Sequence, residues 1–170
     1  MKFVITAYRH VGKTTLVNKV LASTTKNVCG FFTDKIGDKP NEEGLFPVYI
    51  FPAGEQPILD DEHLVGLCGC GNHYTNFEVF DTLGVEYLTA PDNDTLIVMD
   101  EVGFMELGAE KYKAKIFEVL GSENPVLLML KDRMDVEHIR QIRDYPGVTF
   151  IEMNEENRDE VCERVVNEFR

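Results

Sequence analysis

The feature that most constrains this chain is the stretch at residues 2–21, which reads KFVITAYRHVGKTTLVNKVL. Residues 2–6 form an apolar, β-branched run that predicts a buried strand, and residues 14–21 carry apolar side chains at helical spacing. The connection between them fits the pattern G-x-x-x-x-G-K-S/T at Gly12, Lys13 and Thr14, with Ala7 in place of the first glycine. A strand, loop and helix of this kind predict a phosphate-binding loop at residues 7–14, the alternative being a turn without a ligand.

The residue types in this loop suit a triphosphate, whose dense negative charge needs donors fixed in advance. Backbone N–H groups of the loop and of the first helical turn would supply them. Gly12 allows a close approach of the backbone, Lys13 reaches the β and γ phosphates, and the Thr14 hydroxyl is a candidate Mg²⁺ ligand. Thr15 belongs to the same turn. The predicted nucleotide-contacting residues of this region are Ala7, Tyr8, Arg9, His10, Val11, Gly12, Lys13, Thr14 and Thr15.

Composition limits the classes of partner and the compartment. The chain has 170 residues, of which 44% are hydrophobic, and we expect a single domain over residues 1–170 with one core. Its 17 basic and 30 acidic residues give a formal net charge of −13, which disfavours binding to nucleic acid or to anionic membranes. Protein partners are not indicated by any motif. Four scattered cysteines predict a reduced, cytoplasmic protein.

The order of predicted elements indicates an α/β fold. Residues 28–33 and 46–51 read as strands whose short, turn-rich connection predicts an antiparallel β-ribbon. Residues 53–72 read as a long surface excursion. A helix over residues 77–88 with Asn76 as its N-cap is followed by alternating strands and helices. We therefore predict a three-layer sandwich with a mostly parallel sheet and an antiparallel ribbon insertion.

A second constellation lies at residues 96–101, where four apolar strand residues are followed by Asp100 and Glu101. Acids at the end of a core strand are expected at the active edge of an α/β sheet. Asp100 would hold Mg²⁺ together with Thr14, and Glu101 would accept a proton from the water that attacks the γ phosphate. Alternatively, both acids cap the next turn.

These motifs resemble those of the small nucleoside-triphosphatases known from thermophiles and, in humans, as the cancer-related nucleoside-triphosphatase. The resemblance runs nearly end to end through VGKTTL at residues 11–16, GFFTD at 30–34, DEVGFMEL at 100–107 and ENRD at 156–159. It implies a P-loop fold and Mg²⁺-dependent hydrolysis of ATP, GTP and other nucleoside triphosphates. It also implies nucleotide contacts on the 7–14 loop and around Asp100 and Gly103, and it singles out Arg158 as a cation for the γ phosphate or the base.

The chain departs from this family pattern at four positions. Glycine is usual at Ala7 and His10, an acid at Lys35 and a lysine at Phe104. A Cβ at position 10 costs about 1 kcal/mol if the backbone there is left-handed. Loss of the lysine at Phe104 weakens the case for turnover more than the case for binding, so one alternative is a nucleotide-binding protein with weak or no turnover. A second alternative is a small-molecule kinase, because the same loop serves both hydrolases and kinases.

Several other polar residues are candidates of lower weight. Cys68, Cys70 and His73 could bind Zn²⁺, although a second ligand cluster is missing and a glycine-rich loop with incidental thiols is the simpler interpretation. Arg9, Lys131 and Arg133 are further cations for the γ phosphate, each with a solvated charge as its alternative. The remaining histidines, including His138, are predicted to lie at the surface.

Overall fold

The computed structural model describes residues 1–170 as a twisted sheet flanked by helices. The strands are β1 (Lys2–Ala7), β2 (Val28–Lys35), β3 (Phe46–Pro52), β4 (Leu64–Gly69), β5 (Asn72–Thr75), β6 (Leu96–Val102), β7 (Val126–Leu130) and β8 (Thr149–Met153). The helices are α1 (Lys13–Ser23), α2 (Phe77–Val79), α3 (Val85–Tyr87), α4 (Glu110–Gly121), α5 (Glu137–Arg143) and α6 (Arg158–Phe169). A π-helical turn (Phe80–Gly84) joins α2 to α3, and a 3₁₀ turn (Met105–Gly108) precedes α4.

All eight strands form one sheet in the order β5-β4-β3-β2-β6-β7-β1-β8. The five strands from β2 to β8 in this order pair in parallel, whereas β3, β4 and β5 are added antiparallel. The predicted α/β fold is therefore confirmed, and so is the antiparallel pairing of the two ribbon strands, in which Phe32 lies opposite Phe51.

Side chains alternate between the two faces of the central strands, as the pleat requires. On β1, Phe3 and Ile5 pack with the apolar sides of α1 and α6, whereas Val4 packs on the opposite face with those of α4 and α5. The sheet is thus covered on both faces, which accounts for the continuous apolar runs in β1, β6 and β7. No helix combines the length and the apolar character needed to cross a membrane.

The carboxyl ends of the parallel strands share one edge of the sheet. Asp100 on β6 pairs with Met129 on β7, and Met129 in turn pairs with Ile5 on β1. β7 therefore lies between the two strands that carry the main sequence motifs, and Asp100 lies level with Ile5, two residues before the 7–14 loop.

Two local predictions were wrong, and a third is confirmed only in position. The segment predicted as a surface excursion contains β4, where glycines mark close strand contact: a Cβ on Gly66 would lie 1.9 Å from the backbone oxygen of Tyr74. His138, predicted at the surface, is only 7% exposed because it packs edge-on against Phe117. Asn76 does occupy the N-cap position of α2, but its side chain makes no capping hydrogen bond.

Gly30 fixes the spacing between β2 and β6. It has φ 119°, and a Cβ there would lie 1.9 Å from the backbone oxygen of Val98. Only glycine permits this approach, because both the backbone angle and the space exclude a side chain. The close pairing brings Thr33, farther along β2, against the end of β6.

Candidate active site

The 7–14 loop leaves the sheet at Ala7, the last residue of β1, and ends where α1 begins at Lys13. It turns through left-handed conformations at His10, with φ 65°, and at Gly12, with φ 123°. None of the backbone N–H groups of residues 8–12 donates to another backbone group, and the first N–H groups of a helix also lack intrahelical acceptors. The loop and the start of α1 thus present a row of free donors, which suits an anion.

Lys13 and Glu101, 88 residues apart in the chain, form an ion pair in this site. The Lys13 Nζ lies 2.5 Å from Glu101 Oε2, and the two side chains are only 18% and 25% exposed. The Nζ of Lys131, at the end of β7, lies 3.5 Å from the other oxygen of the same carboxylate. Glu101 is therefore held between two lysines, one at the start of α1 and one directly after β7.

The backbone of Glu101 is held by Thr33 of β2. The Thr33 hydroxyl donates to the Glu101 carbonyl oxygen at 3.3 Å and accepts from the Glu101 N–H at 3.4 Å. Sequence reasoning did not select Thr33. It lies within the GFFTD block, which was the only signal that could have pointed to it.

Asp100 lies half-buried beside this pair. The pKa of Asp100 is raised to about 7, mainly by burial and also by the charges of Glu101 and Asp34, against the lowering effect of Lys13. Neither Asp100 nor Glu101 donates or accepts a capping hydrogen bond, so the capping alternative for these acids has no support in the hydrogen bonds observed. The cluster of acids favours a cation at this edge of the sheet.

Glu106 is a buried acid that sequence reasoning did not assign to the site. It is 3% exposed, and its Oε1 accepts a hydrogen bond from the Gly103 N–H at 2.6 Å. Burial raises the pKa of Glu106 to about 7, against the effect of the Gly103 hydrogen bond. Glu106 thereby fixes the turn after β6, which places Gly103 beside Lys131.

These residues surround a cavity of about 370 Å³, here called the central cavity, which opens beside the 7–14 loop. Lys13, Thr33, Asp34, Glu101, Glu106 and Lys131 line it. Its size is that of a small-molecule site. The structure thus brings together residues of β1, α1, β2 and β6 around one space, with Lys131 directly after β7.

The remaining predicted residues are divided between the central cavity and a second space beside the loop. Tyr8 and Arg9 line the central cavity, as does Gly103, whereas Thr14 is exposed at the first turn of α1. Thr15 and Arg158 line a separate cleft of about 160 Å³ on the other side of the loop, with Gly12 and Val11. His10 is exposed. The loop therefore separates two spaces, one toward β6 and one toward α6.

Cys68 and His73 lie opposite each other on β4 and β5, whereas Cys70 is exposed in the turn between the strands. No group of three or more His, Cys, Asp or Glu side chains in residues 1–170 is arranged to hold a metal ion. The thiols and the imidazole thus form no ligand set of their own.

Comparison with known proteins assigns the chain to a family. A sequence profile described as NTPase matches residues 2–166. The chain is 32% identical over 167 residues to "Nucleoside-triphosphatase THEP1" of Thermotoga petrophila. The aligned region covers 98% of this chain and 91% of that protein. The protein of the same name from Aquifex aeolicus is 28% identical over 174 residues, or 98% of each chain.

Solved structures show the same fold. The crystal structure of THEP1 from Aquifex aeolicus superposes with a TM-score of 0.78 at 24% identity, over 100% of this chain and 99% of that chain. The solution structure of a human cancer-related nucleoside triphosphatase gives a TM-score of 0.65 at 22% identity, over 98% and 95% of the two chains. The family profile spans nearly every residue, and we conclude that the chain belongs to the NTPase family.

Proposed function

We propose that this protein hydrolyses nucleoside triphosphates, bound with Mg²⁺, to nucleoside diphosphates and phosphate. The observation that carries the proposal is the contact of 2.5 Å between Lys13 and Glu101, at the junction of a loop of free N–H donors and the central cavity. A phosphate-binding cation and a carboxylate base are the groups that phosphoanhydride hydrolysis requires. The names of the matched relatives support the same activity.

The loop and Lys13 bind the phosphates in this proposal. The free N–H groups of residues 8–12 and of the first turn of α1 donate to phosphate oxygens, and Lys13 turns from Glu101 to the β and γ phosphates. The γ phosphate then lies at the mouth of the central cavity. The rest of the nucleotide extends past Thr15 toward Arg158, whose half-exposed guanidinium can stack on the base.

The residues present fit a magnesium ion. Asp100 is a half-buried carboxylate with a raised pKa and two acidic neighbours, so a cation would favour its charged form. Thr14 offers a hydroxyl on the exposed first turn of α1, and hydroxyl and carboxylate oxygens are ligands that Mg²⁺ accepts. When bound, Mg²⁺ would neutralise charge on the β and γ phosphates.

Glu101 acts as the base once Lys13 has moved to the phosphates. Its carboxylate retains Lys131 on one oxygen, and the other oxygen becomes free to accept a proton from water. The water oxygen bonds to the γ phosphorus as the bond from that phosphorus to the bridging oxygen breaks. The nucleoside diphosphate leaves with that oxygen, and the proton remains on Glu101.

Lys131 bears on the choice between turnover and binding alone. Family members usually have a lysine at the position of Phe104, and its absence here argued for weak turnover. Lys131 lies 3.5 Å from Glu101 and lines the central cavity, so a cation is present where that lysine would act. This geometry favours hydrolysis.

Phosphate release from ATP, GTP, CTP and UTP, measured with and without Mg²⁺, tests the activity and its base selectivity. Lys13→Ala should abolish triphosphate binding in calorimetry, because no other cation in the 7–14 loop is positioned by the motif to meet the β and γ phosphates. Lys111→Ala, an exposed lysine on α4 away from both spaces around the loop, is the matched control. Undiminished ATP affinity of Lys13→Ala would contradict the assignment of the loop.

A further inference from the structure

A second cavity of about 540 Å³ adjoins the central cavity on its side toward the antiparallel strands. The two spaces share Arg9, Lys35, Cys68, Phe104 and Lys131 as lining residues. We call the second space the cationic cavity, because Arg9, Lys35, Lys131 and Arg133 line it and no aspartate or glutamate does. The chain has 30 acidic and only 17 basic residues, so a lining with four cations and no acid runs against its composition.

The cations of this cavity lie against aromatic rings. The Lys131 ammonium and the Arg133 guanidinium are each 5.0 Å from the centre of the Phe104 ring, and the Lys35 ammonium is 5.6 Å from that of Phe46. The His73 ring lies 5.0 Å from the Phe104 ring in an edge-on arrangement. Rings and cations therefore alternate around the same space.

Few acids compensate these charges. Arg133 forms a forked pair with Asp135, and Lys131 has its long contact with Glu101. Arg9 and Lys35 form no ion pair. A concave surface with uncompensated positive charge attracts anions, and arginine in particular recognises phosphate and carboxylate through paired hydrogen bonds.

The position of the cavity indicates a second ligand, distinct from the nucleotide. In the proposed function the nucleotide extends from Lys13 past Thr15 toward Arg158, on the α6 side of the loop. The cationic cavity begins on the opposite side, beyond the γ-phosphate end. It is large enough for a drug-sized molecule, and its lining offers both a planar apolar surface and cations.

We propose that the cationic cavity binds a small organic phosphate that carries a planar ring. The ring packs against Phe104 and His73, and the phosphate is held by Arg9, Lys35 and Arg133. The binding itself does not depend on hydrolysis of the nucleotide. A molecule held there lies next to the γ phosphate of a bound triphosphate.

Phenyl phosphate is a probe that contains both groups and lacks a nucleoside. Its binding is measured by calorimetry to the full chain, with and without saturating Mg-ADP. We expect binding in both conditions, and about fivefold weaker binding of inorganic phosphate, because inorganic phosphate lacks the ring. Loss of phenyl phosphate binding on addition of ADP would place the probe on the 7–14 loop and overturn the proposal.

Two variants test the lining of the cationic cavity directly. Phe104→Leu removes the ring and should weaken phenyl phosphate binding about fivefold while leaving inorganic phosphate unchanged. Arg133→Gln, at a partly exposed position where folding is not at risk, should weaken the binding of phenyl phosphate and of inorganic phosphate about fivefold each. Arg143→Gln is the matched control, since Arg143 forms the same kind of fork with Asp144 outside the cavity.

The outcomes are separable from those of the proposed function. Equal affinities of the wild-type protein and both cavity variants for phenyl phosphate would overturn the second site, whether or not ATP binds or is hydrolysed. Failure of ATP to bind or to be hydrolysed would overturn the proposed function and leave the comparison of phenyl phosphate affinities intact.

Discussion

Replacing Glu101 by glutamine should change nucleotide affinity and turnover in opposite directions. Lys13 lies 2.5 Å from Glu101, and in the proposed function this contact breaks when Lys13 reaches the phosphates. Each triphosphate that binds therefore gives up part of its binding free energy to separate the pair. Glu101→Gln removes the charge from one partner and thereby lowers that cost.

The size of the effect follows from the burial of the pair. With side-chain exposures of 18% and 25%, the contact is better shielded from water than a surface salt bridge. A hydrogen bond to a charged group contributes about 1.5–3 kcal/mol, and a neutral acceptor retains roughly half of it. We expect a net gain of about 1.4 kcal/mol, or tenfold tighter binding of ATP. Turnover should fall by about 10²-fold or more, as is usual when a general base is lost.

Calorimetry of Mg-ATP binding and single-turnover phosphate release measure the two effects separately. Asp34→Asn is the matched control, because it removes an acid from the same cavity without breaking an ion pair to Lys13. Any gain in ATP affinity that both variants share comes from reduced repulsion between the cavity acids and the phosphates. Weaker or unchanged ATP affinity of Glu101→Gln, relative to Asp34→Asn, would refute the argument that the pair opposes binding. Unchanged turnover would show that the base is another residue.

Three further predictions concern stability, measured by urea unfolding. Gly30→Ala should lower the free energy of unfolding by about 3 kcal/mol or more, because its Cβ would meet the Val98 oxygen at 1.9 Å. Gly147→Ala, at a position with positive φ but open space, should lower it by about 1–2 kcal/mol. Equal losses for the two variants would exclude a steric cause. Burial lowers the pKa of His138 to about 4, below the unfolded value near 6.5, so stability should fall on the order of 3 kcal/mol as pH drops through this window. His138→Phe should lack that component, and parallel pH profiles would contradict it. His10→Gly should be about 1 kcal/mol more stable than His10→Ala, since φ is 65° at this position; equal stability would argue against backbone strain.

The sequence was informative where function is encoded in short contiguous motifs. Residues 2–21 predicted a strand, a loop and a helix with nearly the observed bounds, and the acids after the apolar run of β6 do lie near Lys13. The ribbon was also predictable, because a short turn-rich connection allows only antiparallel pairing. These are local signals.

Other features depend on contacts that no local pattern reports. Glycines at positions 66 and 69 were interpreted as loop residues, although they permit β4 to pack closely against its neighbours. The insertion of β7 between β1 and β6 is a choice of strand order, and it alone places Lys131 beside Glu101. The burial of Glu106 and of His138 is likewise set by packing partners distant in sequence.

The strand order has a consequence for the folding of the chain. β1 is flanked in the sheet by β7 and β8, which pair with it through residues 126–130 and 149–153. The antiparallel strands, in contrast, pair with near neighbours along the chain and close short loops, which form early. During synthesis the 7–14 loop leaves the ribosome before β7 and β8, and it gains both supporting strands only after residue 153 has emerged. The candidate site would thus be completed only after most of residues 1–170 have been made.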